Sequence, residues 1–182
     1  MNFFLDCGSN LGQAYVYFKE KYGLFYKFLL FEPNPNCYAK LIEKFGKLPD
    51  IKIYNQAIYS QDCSKIFRFS EKYSVGGSII DYHNSLYKSK KNNEVLVRCV
   101  DIVKIIEDLH CDELVIKLDI ESSEYDVLER MINSKIIFGV KKIYCEFHSQ
   151  YMNSRDKEIF KPRENKIMKF VHDNNIDFEI WK

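Results

Sequence analysis

Ten residues near the amino terminus combine an apolar run, an acid and two spaced glycines: Phe3-Phe4-Leu5-Asp6-Cys7-Gly8-Ser9-Asn10-Leu11-Gly12. This order predicts a β-strand and a tight turn into a helix, as at the ligand loop of an open α/β sheet. Gly8 and Gly12 would let the backbone approach a ligand where a Cβ would not fit. Asp6, at the carboxyl end of the strand, is placed to hold a cationic or hydroxyl group. An ordinary strand-to-helix turn is the alternative.

The spacing of this loop narrows the kind of ligand. It reads Asp-x-Gly-x-x-x-Gly, whereas a loop that cradles a pyrophosphate reads Gly-x-Gly-x-x-Gly. An acid at the place of the pyrophosphate favours a ligand with a positive group and no phosphates, of which S-adenosylmethionine is the common case. A dinucleotide-dependent oxidoreductase is therefore the weaker interpretation.

A second apolar segment, at 27–31, ends in Glu32-Pro33-Asn34-Pro35. It follows the first turn by about twenty residues, the separation expected for a ribose-binding acid. In a doubly wound sheet the second strand lies beside the first, so Glu32 can accept hydrogen bonds from both ribose hydroxyls. A solvated glutamate is the alternative, but the two segments together favour an adenosyl ligand.

Composition predicts one globular domain over residues 1–182. The chain is 46% hydrophobic with a formal net charge of +1, which gives no reason to expect a nucleic-acid partner, and the basic run at 88–91 fits a solvated loop. Six cysteines without a Cys-x-x-Cys pair predict reduced thiols. Asp6 interrupts the first apolar run, and no segment has the length of a membrane helix. We therefore expect a soluble, cytoplasmic protein with no membrane partner.

Strand and helix patterns alternate along the chain. Strands are predicted for the amino-terminal run and for 27–31, 51–54, 65–69, 94–100, 113–118, 142–147 and 178–181. Helices are predicted for 11–22, 36–45, 101–109, 123–132 and 163–174, the third with Asp101 as its N-cap. This alternation predicts an α/β fold, with a doubly wound, mainly parallel sheet and helices on both faces.

Acids follow the fourth main strand at Asp119, Glu121 and Glu124. Asp119 would project over the same crevice as Asp6 and Glu32, and it is a candidate general base. Glu121 would stand nearby. Glu124 falls in the first turn of the next helix, where a capping role and the helix dipole explain it.

The fifth main strand brings Glu146 and His148 to the adjacent tip, and His148 is either structural or part of the site. Together with Asp119 and Glu121 they offer ligands for Mg²⁺ or Mn²⁺, with Asp119, Glu146 and His148 as the core set. We favour a simple base over a divalent metal, because carboxylate spacing alone does not show coordination.

These segments resemble the FkbM-type class I methyltransferases. The resemblance rests on an ordered series along most of the chain: Asp6-Cys7-Gly8-Ser9-Asn10-Leu11-Gly12, Phe31-Glu32-Pro33-Asn34-Pro35, Asn55-Gln56-Ala57, Gly76-Gly77-Ser78, Val100-Asp101-Ile102, Ile116-Lys117-Leu118-Asp119-Ile120-Glu121-Ser122-Ser123-Glu124 and Cys145-Glu146-Phe147-His148. It implies a Rossmann-like enzyme that uses S-adenosylmethionine and methylates hydroxyls, mostly of sugars and polyketide natural products.

The resemblance also implies roles for particular residues. Those expected to bind the cofactor are Asp6, Gly8, Ser9, Asn10 and Gly12 around the methionine part, Glu32, Pro33 and Asn34 at the ribose, Gln56 and Ala57 at the adenine, and Asp119. Those expected to face a small-molecule or glycan acceptor are Asp119, Glu121, Glu146 and His148. The implied reaction is in-line attack of a substrate oxygen on the sulfonium methyl, with Asp119 or His148 as base.

The chain departs from the family pattern at three places. Ser122 stands where the family usually has glycine. The sequence starts at the first strand and ends one strand after the last helix. We therefore expect a sheet that is shortened at both ends. The alternative is that an oligomer or a partner chain contributes to acceptor recognition. A non-catalytic subunit of a glycan-modifying assembly is the competing function. The loop Gly76-Gly77-Ser78 is either a lid over the ligand or a loop tip.

Overall fold

The computed structural model describes residues 1–70, 76–80 and 92–181. The basic run at 88–91 lies outside the described residues. In chain order the strands are β1 (Asn2–Cys7), β2 (Tyr26–Phe31), β3 (Ile51–Tyr54), β4 (Ala57–Tyr59), β5 (Cys63–Ser70), β6 (Asn92–Asp101), β7 (Glu113–Leu118), β8 (Lys142–Cys145) and β9 (Phe178–Ile180). The helices are α1 (Gln13–Tyr22), α2 (Pro35–Phe45), α3 (Ile102–Leu109), α4 (Glu124–Asn133) and α5 (Ser154–Asp173).

Six strands form one parallel sheet in the order β3-β2-β1-β7-β8-β9. Alternate residues of β1 face opposite sides: Phe4 packs with Phe18 of α1 and Leu41 of α2, whereas Leu5 packs with residues of α3, α4 and α5. Because helices cover both faces, the central strands are largely apolar. The predicted doubly wound, Rossmann-like α/β fold is confirmed.

A smaller three-stranded sheet has the order β4-β6-β5. β5 and β6 pair antiparallel and correspond to the predicted strands at 65–69 and 94–100, while β4 pairs parallel with β6. The three-residue strand β4 was not predicted, because so short a segment shows no periodicity.

Side-chain caps fix the starts of several helices. The Asp101 carboxylate accepts a hydrogen bond from Val103 N at 2.9 Å, which confirms the predicted cap of α3. The last helix ends about where it was predicted to, but its predicted start was wrong, because α5 begins at Ser154 and not at 163. Pro162 resembles a helix start in the sequence but lies inside α5, and Asn153 is the actual N-cap. Among the described residues, the helices lack the combination of length and apolar character that a membrane span needs.

The carboxyl ends of four neighbouring strands lie in register. Cys7 of β1 pairs with both Phe31 of β2 and Leu118 of β7, and Leu118 pairs with Cys145 of β8. The residues that follow these strand ends are Gly8, Glu32, Asp119 and Glu146. The chain order reverses between β1 and β7, so this edge of the sheet is a topological switch point, where open α/β sheets bind ligands.

Candidate active site

Glu32 is a buried carboxylate at the tip of β2, with 6% of its surface exposed. One oxygen accepts a hydrogen bond from Asn10 N and the other from Asn34 N, both at 2.7 Å. The Asn55 side-chain amide donates to the carbonyl oxygens of Glu32 and Pro33 at 2.9 and 3.1 Å. Asn55 thus fixes the backbone that carries the acid, a role that its place in the sequence did not indicate.

Burial raises the pKa of Glu32 to about 7, although the backbone hydrogen bonds from Asn34 and Asn10 oppose the rise. A carboxylate oxygen has two lone pairs, so each oxygen of Glu32 can accept a further hydrogen bond. Burial of the charged Glu32 carboxylate costs free energy unless a ligand donates hydrogen bonds to it.

We expect Glu32 to make stability fall as the pH rises. Its folded-state pKa of about 7 exceeds the ordinary value of 4.5, so its contribution is complete below pH 4.5 and is lost as the pH rises through 7. The loss amounts to about 3 kcal/mol. Urea unfolding of the wild type and Glu32→Gln at several pH values measures it: the difference between the two proteins should change by this amount over the window. A constant difference would contradict the assignment.

The backbone N–H groups of the loop at 8–12 all donate within the chain. Gly8 and Ser9 donate to the carbonyl of Phe31, Asn10 donates to Glu32, Leu11 to the side chain of Gln13, and Gly12 to the carbonyl of Ser9. A pyrophosphate needs such donors turned outward. The hydrogen bonding therefore agrees with the sequence spacing in disfavouring a phosphate ligand.

Protein atoms fill the space beside both loop glycines. A Cβ on Gly8 would lie 1.9 Å from the carbonyl oxygen of Asp119, and one on Gly12 would lie 2.4 Å from the ring of Phe45. Both glycines have positive φ, +83° and +88°. Glycine is required at both positions for packing against the β7 tip and α2, so the prediction that this space admits a ligand is wrong.

Asp6 is fully buried. Its Oδ1 lies 3.2 Å from the ammonium of Lys117, and its carbonyl oxygen accepts a hydrogen bond from the Ser9 hydroxyl at 2.8 Å. The Asp6 carboxylate is thus engaged by Lys117 within the protein, and its predicted contact with a ligand stays a prediction. The Ser9 hydroxyl is likewise used within the loop.

Lys117 links the glycine loop after β1 to the acid cluster after β7. Its ammonium also donates to the carbonyl of Gly8 at 2.8 Å and lies 3.2 Å from Oδ2 of Asp119. Burial lowers the pKa of Lys117, but Asp119 and Asp6 outweigh this effect and raise it, so the lysine is a cation. A lysine inside an apolar strand was the signal for this role. Its partner could not be identified before β1 and β7 were known to be neighbours, with Asp6 opposite Lys117.

His148 lies among the predicted acids. Its Nε2 is 3.3 Å from Oε2 of Glu121 and 3.7 Å from Oδ1 of Asp119, and its Nδ1 is 3.0 Å from Oε1 of Glu124. One ligand atom each from Asp119, Glu146 and His148 lie within 4.8 Å of one another. The structure thus brings together all four residues predicted to face the acceptor.

Glu124 belongs to this cluster as well. It is fully buried, and its Oε1 also accepts a hydrogen bond from Ile120 N at 2.7 Å. Helix capping alone therefore does not account for it. Burial lowers the pKa of His148, but Glu124, then Glu121 and Asp119, raise it to about 10. A pKa raised in this way favours His148 as a hydrogen-bond donor at neutral pH, and its role as general base stays a prediction.

The loop after β7 contacts the segment at 76–78. Gly76 N donates to Oε1 of Glu121 at 3.0 Å, and the Ser78 hydroxyl donates to the Glu121 carbonyl at 2.6 Å. Gly76-Gly77-Ser78 therefore lies against the acid cluster. Glu121 and Ser122 have φ of +52° and +82°, in the left-handed region that favours glycine, and this conformation explains why glycine suits the position of Ser122.

Gln56 and Ala57 follow the tip of β3. Gln56 is partly buried, and Ala57 is the buried first residue of β4, opposite Cys99 of β6. Pro33 is partly buried, and the side chain of Asn34 caps α2 by accepting from Asn36 N at 3.0 Å. The roles implied for these residues at the adenine and ribose remain predictions.

Comparison with protein families decides the relationship of the chain. The model described as "Methyltransferase FkbM domain" matches residues 6–175, which include both the glycine loop and the acid cluster. The chain belongs to the FkbM methyltransferase family. The predicted family is thus confirmed.

Other comparisons add little to this FkbM assignment. No curated protein matches the chain significantly. The crystal structure of yeast methylglyoxal/isovaleraldehyde reductase Gre2 complexed with NADPH aligns with 99% of this chain and 56% of the reductase, at 15% identity and a TM-score of 0.43. The chain thus spans about half the length of that reductase, and a likeness at this level carries no inference about function.

Proposed function

We propose that this protein is an S-adenosylmethionine-dependent O-methyltransferase that acts on a hydroxyl group of a sugar, glycan or related small molecule. The observation that carries the proposal is that, in an FkbM family member, the buried Glu32 carboxylate at the tip of β2 and the acid cluster around His148 at the tips of β7 and β8 lie along the same edge of the sheet. When bound, S-adenosylmethionine supplies a methyl group activated on a sulfonium.

The residues at the β2 tip fit an adenosyl ligand. Each Glu32 oxygen accepts one backbone hydrogen bond, from Asn10 N or Asn34 N, and has a second lone pair. The two carboxylate oxygens can therefore accept hydrogen bonds from the two ribose hydroxyls. The loop offers no outward N–H donors among residues 8–12 for a phosphate, and a sulfonium ligand needs none. Gln56 and Ala57 would border the adenine.

Asp119 is the residue we propose as the base for the acceptor hydroxyl. Lys117 holds its Oδ2, so the orientation of its other oxygen, which faces His148, is fixed. A protonated His148 would donate a hydrogen bond to the acceptor and not take its proton. Holding the acceptor oxygen in line with the methyl group can lower the barrier by several kcal/mol, about 7 at effective molarities near 10⁵ M.

Titration calorimetry with S-adenosylmethionine and S-adenosylhomocysteine tests the cofactor site, with NAD as a negative control. We expect both adenosyl ligands to bind the wild type and the Glu32→Ala variant to bind about 100-fold more weakly, because hydrogen bonds to a charged acceptor contribute roughly 1.5–3 kcal/mol. Glu43→Ala, which removes an exposed glutamate from α2, should bind like the wild type.

Two results would count against the proposal. Equal affinity in Glu32→Ala and wild type would mean that Glu32 does not hold the ribose. Absence of adenosyl binding by the wild type would favour the non-catalytic subunit of a glycan-modifying assembly, and a search for partner chains would then follow.

A further inference from the structure

We propose that Asp119, Glu146 and His148 bind one divalent cation, of the type of Mn²⁺, beside the acceptor. One atom from each side chain lies within 4.8 Å of the other two. Two ligands on opposite sides of such an ion are about 4–5 Å apart, given bond lengths of about 2.0–2.6 Å. Small side-chain movements therefore suffice to close the site.

The surroundings of His148 are those of a metal-binding histidine. Its Nδ1 lies 3.0 Å from Oε1 of the fully buried Glu124, and its Nε2 faces Asp119 and Glu121. Metal-binding histidines commonly donate their second ring nitrogen to a carboxylate, which fixes the ring and the free lone pair. Glu124 is therefore a positioning residue that points Nε2 at the ion.

The charge of the cluster independently favours a cation. Oε2 of Glu124 is buried and has no hydrogen-bond partner among the residues that the structure describes. Lys117 contacts both Asp119 and Asp6, so its one ammonium is shared between two carboxylates. A divalent ion held by Asp119, Glu146 and His148 would place positive charge close to the buried Glu124 carboxylate.

The ligand set indicates which ion fits. Two carboxylates suit Mg²⁺ and Mn²⁺, whereas an imidazole suits softer ions such as Fe²⁺ and Zn²⁺, and Mn²⁺ accepts both kinds of ligand. Asp119 and Glu146 are partly exposed, so the ion could be reached from the crevice. Coordination positions would remain for water or an acceptor hydroxyl.

With the ion bound, Asp119 would act in methyl transfer as a metal ligand and not as the base. This role in the reaction rests on the proposed function, whereas the metal site itself does not. The ion would polarise the acceptor hydroxyl, whose proton passes to Glu121. The oxygen then forms a bond to the methyl carbon while the carbon–sulfur bond breaks, and its electron pair stays on sulfur. The products are a methyl ether and S-adenosylhomocysteine.

Electron paramagnetic resonance of Mn²⁺ added to the full chain tests the site. We expect one Mn²⁺ per chain, with nitrogen coupling from the His148 imidazole. His148→Ala should remove the coupling and weaken binding by at least about tenfold, and Glu124→Gln should weaken binding by about 10–100-fold while the three ligands remain. His172→Ala, which removes an exposed histidine beside Asp173, should bind like the wild type.

Absence of Mn²⁺ binding by the wild type, or equal affinity in His148→Ala, would overturn the proposal. If His148→Ala does not fold, Glu146→Gln decides: binding weakened about tenfold supports the site, and unchanged binding overturns it. S-adenosylmethionine is titrated into the same samples. Adenosyl binding without Mn²⁺ binding would overturn the metal site alone, and Mn²⁺ binding without adenosyl binding would support the metal site while the proposed function fails.

Discussion

Replacing Lys117 with methionine is expected to lower the free energy of unfolding by about 3–5 kcal/mol. The substitution keeps an unbranched side chain, one atom shorter than lysine, but removes the cation between Asp6 and Asp119. Burial raises the pKa of Asp6, and Lys117 opposes that rise, so the variant leaves an uncompensated acid in the core. Urea unfolding at neutral pH measures the loss.

Two further variants separate the charge effect from general damage. Lys141→Met breaks an ion pair with Glu113 in which both side chains are substantially exposed, and it should cost less than about 1 kcal/mol. The double variant Asp6→Leu with Lys117→Met removes both buried charges and should recover most of the stability. If Lys117→Met costs no more than Lys141→Met, the buried lysine does not hold the two strands together.

Replacing Gly8 with alanine is expected to cost about 2–5 kcal/mol and to abolish adenosyl binding. The new Cβ would lie 1.9 Å from the Asp119 carbonyl oxygen, and φ of +83° disfavours any side chain. The loop would have to move away from β7, and Asn10 N would move away from Glu32 with it. Thermal unfolding and calorimetry on the same sample measure both effects.

Two other glycines serve as controls. Gly23 has φ of +61°, and no described atom beyond its chain neighbours lies within 4 Å of the place that a Cβ would take, so Gly23→Ala should show the backbone strain alone, about 1 kcal/mol. Gly139 is equally open and lacks a positive φ, so Gly139→Ala should be nearly neutral. A Gly8→Ala protein no less stable than Gly23→Ala would show that the loop does not need its close contact with Asp119.

Much of the architecture followed from local patterns. Apolar runs ending in Glu32, Asp119 and Glu146 predicted strand tips, and parallel strands necessarily gather such tips at one edge. The approximate bounds of β2 and β7 followed because central strands covered on both faces are largely apolar, whereas β3, at the edge of the sheet, was recognised from its alternating Ile-Lys-Ile-Tyr pattern.

Contacts between side chains that are distant in sequence could not be predicted. Glu124 fits a helix start by position, and only its contact with His148 of the next strand tip shows that it points inward. The position of Asp6 in the sequence is typical of a ligand-binding acid, and only the pairing of β1 with β7 shows that Lys117 lies opposite it. In each case the deciding neighbour is distant in sequence, whereas propensity and periodicity describe only what lies close along the chain.

The single ammonium of Lys117 serves oxygen atoms from two different loops, the carbonyl of Gly8 and the carboxylate of Asp119. Any shift of Asp119 toward a bound acceptor therefore redistributes the hydrogen bonds that hold the glycine loop. Occupancy of one half of the crevice should alter affinity in the other, and thermodynamic reciprocity makes the two effects equal in size. Cofactor and acceptor would then bind cooperatively, through one buried positive charge.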